Sequence, residues 1–405
     1  MFAPFAIRSF RFQWTADLLA SWAVEMETLI LGWYVLTQTG SVLLLTAFAS
    51  LQWLGTLIAP AFGLAGDRIG HRNVLVLMRI AYAVLASVLT GLIVAGALSP
   101  ASVLAIAALN GLIRPSDLAM RTVLISDTVP HDRMMSAISL SRITTDSARA
   151  AGALAGASAV ALLGMSAAYG IVVAFYLCSI ALALRISQPR VRTHAARASP
   201  WRDLLEGARS VWQAPAQLAM LLLAFLVNFT AFPFSLGLLP YVAREVYGVD
   251  QLGLGYLAAS AGIGAIVASL FLSGIAGTVR PARMMVTFAV LWHVLVIAFG
   301  YSTGMSAGLV SLTLIGMSSG LCMLPMALLL VRGAPAALRG RIMGMRTQAV
   351  YGLPLGLLAA GPLIDRIGFA ATATLYGGVG LMCTLFIVWR WRSHLWLPTA
   401  AGNLR

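Results

Sequence analysis

Two acidic residues stand inside the first long apolar run of this chain, where a charge is costly. Glu25 and Glu27 lie near the middle of the run at about Phe12–Thr37, and Asp17 lies nearer its beginning. A charge at the centre of a bilayer costs ~2.5–3.5 kcal/mol or more, so such groups indicate function. A carboxyl group there can bind a proton from one side and release it to the other. It could instead pair with an arginine and fix helix packing.

Three charged residues in the fifth apolar run have helical spacing. Arg142, Asp146 and Arg149 lie at i, i+4 and i+7, so they share one face of a helix. A face with three charges is not expected to face lipid, which predicts a cavity or a packed interior. Arg149 could bind an anionic group in such a cavity. Structural pairing of Asp146 with the arginines is the equal alternative.

The fourth apolar run carries a second set of charges at helical spacing. Arg114, beside Pro115, and Asp117 lie near its middle, and Arg121 follows one turn later. We expect Arg114 to line a cavity, where it could contact a substrate.

The second half of the chain is poorer in charge. In its first apolar run, Asn228 and Phe232 could hold an amphipathic ligand, although such residues commonly pack helices. His293 is alone in its run and indicates a packed histidine rather than a proton carrier. The sequence contains no metal-ligand cluster and no Gly-Lys-Ser/Thr phosphate loop. We therefore predict no metal, no nucleotide and no other cofactor, and no enzymatic activity.

Composition explains why charges are so informative here. Of 405 residues, 60% are hydrophobic and only 10% are charged, and the mean hydropathy is +0.90. Apolar runs of ~20 residues, the length of a transmembrane helix, recur along the whole chain. The net charge of +14 comes from arginines in short loops between these runs. It therefore indicates membrane orientation and not nucleic-acid binding.

The runs predict an all-α membrane protein of twelve transmembrane helices in two six-helix bundles. The predicted spans are about Phe12–Thr37, Ser41–Gly66, Val74–Gly96, Ala101–Asp127, Met134–Leu163, Ser166–Ile186, Ala216–Tyr241, Leu252–Gly274, Ala282–Tyr301, Ala307–Val331, Met343–Ile364 and Ala370–Arg390. We predict a first bundle at 1–187, a linker at 188–214 with an amphipathic helix at Trp201–Trp212, and a second bundle at 215–405. The arginine-rich loops fall on one side, which predicts that both termini are cytoplasmic.

An internal repeat indicates that the two bundles are pseudo-symmetric. Arg142–Gly152 resembles Arg346–Gly356 at an offset of 204 residues, and Gly164 and Gly368 are separated by the same distance. Parallel repeats of this kind suit two halves that rock about a central site. Chance alignment in a glycine-rich chain is the alternative.

The connection between the second and third spans carries a recognisable motif. It reads Gly63-Leu64-Ala65-Gly66-Asp67-Arg68-Ile69-Gly70-His71-Arg72. This resembles the loop G-x-L-A-D-R-x-G-R-K of the major facilitator superfamily. Gly63, Asp67, Arg68 and Gly70 match, and Arg72 replaces a lysine. Positions 65, 66 and 71 depart from the motif.

We hypothesise that this motif forms a cytoplasmic gate. Asp67 can accept hydrogen bonds from the first amides of span eleven, near Arg341, where the helix dipole is positive. Arg68 and Arg72 could pair with Asp127, at the end of span four. An ordinary charged loop that obeys membrane topology is the simpler alternative.

Further stretches are similar to bacterial exporters of the enterobactin-exporter-like and macrolide-efflux-like group. They include Arg114-Pro115, Val129-Pro130, Arg149-Ala150-Ala151-Gly152 and Arg339-Gly340-Arg341-Ile342-Met343-Gly344. In that group an acid is common at the position of Glu25, so the resemblance favours Glu25 over Glu27 as the proton-coupling residue.

The resemblance implies a secondary active exporter in the bacterial inner membrane, driven by proton antiport, monomeric and surrounded by lipid. Arg114 and Arg149 favour a polar or anionic substrate such as a siderophore. A multidrug or macrolide efflux pump and an importer of the same fold are the alternatives. A receptor or adaptor would be expected to have a longer soluble segment.

Overall fold

The computed structural model describes residues 3–56, 58, 62, 65–66, 68–187, 212, 214–275, 280–333 and 339–395. Within these ranges the regular structure is helical, and no strand occurs. Nearly all of the predicted linker, and of the amphipathic helix at Trp201–Trp212, lies outside the described residues.

The described residues form twelve α-helices of ten or more residues, which we number in chain order. They are α1 (Arg8–Thr39), α2 (Val42–Leu51), α3 (His71–Val94), α4 (Pro100–Thr128), α5 (His131–Ser147), α6 (Ala153–Ala183), α7 (Pro215–Thr230), α8 (Gln251–Ile275), α9 (Pro281–Gly300), α10 (Met305–Arg332), α11 (Arg339–Ala349) and α12 (Gly352–Arg390). A π-helical turn, Ala148–Gly152, joins α5 to α6.

These helices are not one-to-one with the predicted spans. Eight helical stretches are long and apolar enough to cross a membrane. Two of them, Ser136–Ala183 and Gly344–Arg390, are each broken by one non-helical glycine, so each supplies two crossings. Two shorter apolar helices, Val42–Thr56 and Pro215–Thr230, complete the set in the described residues. The prediction of an all-α, twelve-span membrane fold is confirmed.

The surface of α3 shows why these helices require a membrane. Its inward face buries Met78, Tyr82 and Ala86, as expected for a helix packed in a bundle. Its outward face is also apolar, and Leu77 and Val84 are more than half exposed. A helix that is apolar on both faces is stable only when lipid replaces water on the outer side.

The two breaking glycines have the same backbone conformation. Gly164 has φ 80° and ψ 167°, and Gly368 has φ 80° and ψ 168°. Residues with a side chain rarely adopt this positive φ, which explains why both positions are glycine. Gly152 and Gly356, which are separated by the same 204 residues, have equivalent neighbours. Gly152 packs on α1, the first helix of the first half, and Gly356 packs on Phe229 of α7, the first helix of the second half.

The described residues belong to two compact units. The first takes its residues from Met1–Ala195 and Pro240–Gly262, and the second from Ala196–Leu239 and Ile263–Arg405. Contacts therefore group Pro240–Gly262 with the first unit, although the sequence assigns this stretch to the second bundle. The boundaries predicted at 187 and 215 stay predictions.

Glycines allow α6 to lie directly on α1 inside the first unit. A Cβ atom at Gly156 would lie 2.8 Å from Met26 Cα, and one at Gly152 would lie 3.2 Å from Trp22 Cα. The backbones are thus too close for a side chain between them. Close approach of this kind is typical of helix pairs in membranes, where dispersion contacts replace the hydrophobic effect.

We predict that Gly156→Val separates α1 from α6 and destabilises the protein. Overpacking of a tight interface costs ~1–3 kcal/mol. The control is Gly170→Val in the same helix, because nothing lies within 4 Å of a Cβ atom there. Thermal unfolding in detergent should show a lower midpoint for Gly156→Val alone. Equal midpoints for the two variants would contradict the close packing.

Candidate functional site

Glu25 and Glu27 lie on different sides of α1, because two residues correspond to ~200° of rotation along a helix. The Glu25 side chain is 22% exposed, and its Oε1 atom lies 3.2 Å from Arg114 Nη2 on α4. Glu27 is buried, with only 5% of its surface exposed. The two acids therefore have different surroundings, although they are neighbours in sequence.

Arg114 is held by several partners as well as by Glu25. Its Nη1 atom donates to Gln52 Oε1, and also to Thr28 Oγ1 at 3.3 Å. The guanidinium lies 5.4 Å from the ring centroid of Trp53, a cation–π distance. Thus the predicted cavity arginine is oriented by α1 and by the chain that follows α2, and its charge is balanced by Glu25.

The π-helical turn contains Arg149, another predicted site residue. Arg149 is within electrostatic range of Glu25, Arg142, Asp146 and Arg114. Arg142 Nε lies 3.1 Å from Asp146 Oδ2, so these two form the i, i+4 ion pair that was one of the two predicted alternatives. Glu25 therefore lies in the field of two arginines. π-Helical turns within α-helices frequently mark functional sites.

Glu27 has hydrogen-bond donors but no ion-pair partner within the described residues. Tyr176 donates its hydroxyl to Glu27 Oε2 at 3.1 Å, and Asn110 Nδ2 lies 3.5 Å from Glu27 Oε1. Neither donor is charged. A carboxyl group in this environment can hold a proton or exchange it for a hydrogen-bond donor of a ligand.

A cavity inside the first unit lies against this carboxyl group. Its empty volume is about 350 Å³, including the open mouth. The lining residues are Val24, Glu27, Thr28, Leu31, Phe48, Gln52, Tyr82, Ala107, Asn110, Gly111, Arg114 and Tyr176. The rings of Tyr82 and Tyr176 stack with centroids 5.5 Å apart. An acid, two amides, two tyrosines and an arginine thus border one small polar space.

Four further charges form a buried cluster, which we call the Asp–Arg tetrad: Asp17, Arg79, Asp117 and Arg121. Arg79 Nη2 lies 2.9 Å from Asp17 Oδ1 and 3.1 Å from Asp117 Oδ1. Arg121 Nη2 lies 2.6 Å from Asp117 Oδ2, and its Nε lies 3.6 Å from Asp17. All four side chains are almost fully buried, and their charges sum to zero.

Sequence reasoning identified three members of the tetrad but not Arg79. The available signal was a lone arginine inside the apolar run Val74–Val94, three residues before Tyr82 and so on the same helix face. Such a residue requires a buried partner, which only the structure identifies.

The second-half candidates belong to the other unit. Asn228 is buried and donates to Ala224 O of its own helix at 2.8 Å. Phe232 packs edge-on against Trp292 with ring centroids 4.7 Å apart. His293 contacts Thr230 Oγ1 through Nε2 at 2.8 Å, and its Nδ1 lies 2.7 Å from Ala289 O. These contacts pack the helices of this unit, and a ligand-binding role of Asn228 and Phe232 stays a prediction.

Part of the predicted gate lies outside the described residues. This applies to Gly63, to Asp67 and to the side chain of Arg341. Gly70 is described, and its φ of 91° requires glycine at the start of α3. Arg68 is exposed.

One predicted gate contact is different in the structure. Asp127 Oδ2 lies 2.7 Å from His71 Nδ1, whereas we expected Arg68 or Arg72 as its partner. Arg72 instead donates through Nη2 to Leu184 O at 2.7 Å, which links α3 to the end of α6. The reason is geometric: His71 is the first residue of α3, next to the end of α4, and Arg72 points to another neighbour. The departure from the family motif at position 71 is therefore the residue that contacts Asp127.

We predict that Arg79→Met strongly destabilises the first unit. Removal of one partner from a buried ion pair costs ~3–5 kcal/mol, because the remaining charge has no compensation. Adding Asp17→Asn should restore part of the loss by removing that charge. Arg8→Met, at an exposed arginine, is the control. Thermal unfolding in detergent measures all three, and equal stability of Arg79→Met and the control would contradict the tetrad.

Comparisons with known proteins agree with this architecture. The family model described as Major Facilitator Superfamily matches residues 14–357. No curated protein sequence matches the chain significantly. Similar solved structures include the human organic anion transporter MFSD10 (TETRAN), at 16% identity and TM-score 0.68, covering 94% of this chain and 99% of that one.

Two further structures are similar at comparable distance. A D-xylose-proton symporter has 13% identity and TM-score 0.74, covering 94% of this chain and 96% of its own. A bacterial homologue of the human lysosomal transporter Spinster has 12% identity and TM-score 0.71, with 97% and 99% covered. At these identities the likeness shows the fold alone. Because the family match spans most of the chain, this protein belongs to the Major Facilitator Superfamily and is a multi-pass membrane transporter of the secondary-transporter kind.

Proposed function

We propose that this transporter exports a small amphipathic molecule in exchange for protons, and that Glu27 is the carboxyl group at which the two compete. The observation that supports this is the environment of Glu27: buried, against a cavity and bonded only to neutral donors. An acid without a cationic partner can alternate between a protonated form and a form bound to a substrate donor. Glu25 is less suited to this, because Arg114 neutralises it.

Antiport requires that a proton and the substrate exclude each other at some group. A substrate hydroxyl or ammonium that donates to the Glu27 carboxylate has this effect, because the protonated carboxyl cannot accept the same bond equally well. Alternating access would then expose the site to each side in turn, loaded with only one of the two. Such competition needs a differential affinity of only ~1–3 kcal/mol to couple the two fluxes.

Arg114 and Arg149 favour a siderophore or a similar polar metabolite as the substrate. An anionic oxygen of the substrate can contact Arg114, while a neighbouring hydroxyl donates to Glu27. Catechol and hydroxamate arms carry both kinds of group. The alternative substrate is an amine-bearing drug such as a macrolide, which would use Glu27 and leave Arg114 paired with Glu25.

We propose that the protein works as a monomer in the bacterial inner membrane with both termini cytoplasmic, powered by the proton gradient without a cofactor. An importer of the same fold is the alternative, and the direction of flux in inverted vesicles distinguishes the two.

We predict that Glu27→Gln abolishes proton exchange, because glutamine cannot bind and release a proton. The assay uses inverted vesicles with an acidic interior, a pH-sensitive dye, and two probes: an iron-free tris-catecholate siderophore and a macrolide. Either probe should release protons from vesicles containing the unchanged protein and not from those containing Glu27→Gln. Glu25→Gln, the matched control two residues away, should keep coupling. Full coupling in Glu27→Gln would refute the proposal.

Arg114→Gln should discriminate between the two substrate classes. Loss of a charge-assisted hydrogen bond costs ~1.5–3 kcal/mol, which corresponds to a ~10–100-fold weaker affinity. If the substrate is anionic, the concentration of tris-catecholate for half-maximal flux should rise by this factor, while the macrolide is unaffected. Arg8→Gln, at an exposed arginine at the start of α1, is the control. An unchanged siderophore affinity in Arg114→Gln would favour the amine-bearing class.

A further inference from the structure

Polar side chains recur along the face of α4 that contacts α1. On α4, Asn110, Arg114, Asp117 and Arg121 are spaced by four, three and four residues, so they share one face. This face spans ~16 Å at 1.5 Å per residue. We call these residues, with their polar partners on α1 and α3, the polar ladder.

Hydrogen bonds and ion pairs with α1 hold the part of the polar ladder that lies nearest the beginning of α1. Arg121 Nη1 donates to Ser21 Oγ at 2.6 Å, and Gln13 Nε2 donates to Arg121 O at 2.8 Å. Asp17 pairs with both arginines of the Asp–Arg tetrad. The ladder thus extends from the Glu27 cavity through the tetrad to Gln13, near the beginning of α1.

Several buried atoms of the ladder have no hydrogen-bond partner among the described residues. They are Gln13 Oε1, Arg79 Nε and Nη1, Tyr82 OH and Asn110 Oδ1. A structural ion-pair cluster is stabilising only when its remaining donors and acceptors are satisfied. Buried polar atoms of this kind are ordinarily bridged by water, which needs two to four polar neighbours. The unpartnered atoms therefore mark the ladder as a path that water can occupy.

Tyr82 connects the two parts of the ladder. It lines the cavity, it is only 2% exposed, and its ring stacks on Tyr176, the donor to Glu27. It is also within electrostatic range of Asp117, Arg79 and Arg121. Tyr82 is thus the residue of α3 that both lines the cavity and lies in the field of the tetrad.

We infer that protons pass between Glu27 and the side at which α1 begins through Tyr82 and the polar ladder, on a route separate from that of the substrate. This inference rests on the proposed function of Glu27. In each transfer the Tyr82 oxygen accepts one proton from the Glu27 carboxyl or a cavity water, and its own hydroxyl proton passes to water beside Arg79. The aspartates stabilise the proton in transit, and the arginines keep the tetrad neutral at rest.

The groups that face Glu27 come from three other helices. Tyr176 and Tyr169 face it from α6, Asn110 and Arg114 from α4, and Tyr82 lies across the cavity on α3. Of these residues, Tyr82 is the one that also lies within electrostatic range of the tetrad and has a hydroxyl without a hydrogen-bond partner among the described residues. A purely structural tyrosine would lose nothing when that hydroxyl is removed, so a hydroxyl deletion separates the two roles.

The test measures how fast Glu27 is protonated, and it needs no substrate. The full chain is reconstituted in liposomes sorted for an accessible N-terminal tag, so that the beginning of α1 faces the outside. A light flash releases protons from a caged compound outside, and time-resolved infrared absorption follows the protonated carboxyl band. Glu27→Gln identifies that band by its loss. The proposal predicts at least tenfold slower protonation in Tyr82→Phe, with an unchanged thermal midpoint.

Tyr34→Phe is the matched control, because its hydroxyl donates to Leu98 O at the opposite end of α1. Its protonation rate should equal that of the unchanged protein. Ser21→Ala, which removes the acceptor of Arg121, is the second variant and should also slow the reaction. An unchanged rate in Tyr82→Phe, whatever the rate in Ser21→Ala, would overturn the separate route while leaving proton exchange at Glu27 intact. Absence of any Glu27 band would overturn the proposed function and this inference together.

Discussion

Every charge buried in an apolar bundle must be compensated, and this constraint organises the first unit. A single uncompensated charge in the membrane interior costs ~2.5–3.5 kcal/mol or more, a large part of a typical folding free energy. The unit therefore pairs Asp17 and Asp117 with Arg79 and Arg121, and Glu25 with Arg114. Glu27 differs from these acids, since its hydrogen-bond donors, Tyr176 and Asn110, are neutral and no ion pair holds it among the described residues. A proton can therefore neutralise Glu27 without breaking an ion pair.

This compensation of buried charge also depends on how closely the backbones of α1 and α6 approach each other. The glycines at 152 and 156 bring α6 and the π-helical turn against α1, and Glu25 Cβ is itself one of the atoms next to Gly152. Tyr176, further along α6, then reaches the carboxyl group of Glu27. Wider spacing of these helices would lengthen the hydrogen bonds and admit more water, which weakens electrostatic coupling. Small residues at the helix contacts therefore determine the electrostatics of the site as well as its packing.

The periodicity and composition of the sequence predicted much of this arrangement, because both are properties of a single helix and need no knowledge of its neighbours. The apolar runs identified the crossings, and an offset of 204 residues identified the two breaking glycines. Glu25, Glu27 and Arg114 were identifiable as charges inside apolar runs. The pairings were not identifiable, since a partner is set by three-dimensional neighbours. Arg79 was overlooked and His71 was noted only as a departure from the family motif, yet each pairs with an aspartate from another helix.

Glu25, Glu27 and Arg114 also determine whether substrate and proton are exchanged or transported together. An anionic group that takes Arg114 from Glu25 leaves Glu25 without its cation, which favours protonation of Glu25 and binds substrate and proton together. A donor group that takes Glu27 excludes the proton there, and so exchanges substrate for proton. By linkage, the net coupling is the sum of these two opposed free energies. Proton antiport therefore requires that the substrate gain more binding free energy from its contact with Glu27 than from its contact with Arg114. A purely anionic molecule without hydrogen-bond donors would instead be transported together with protons by this same site.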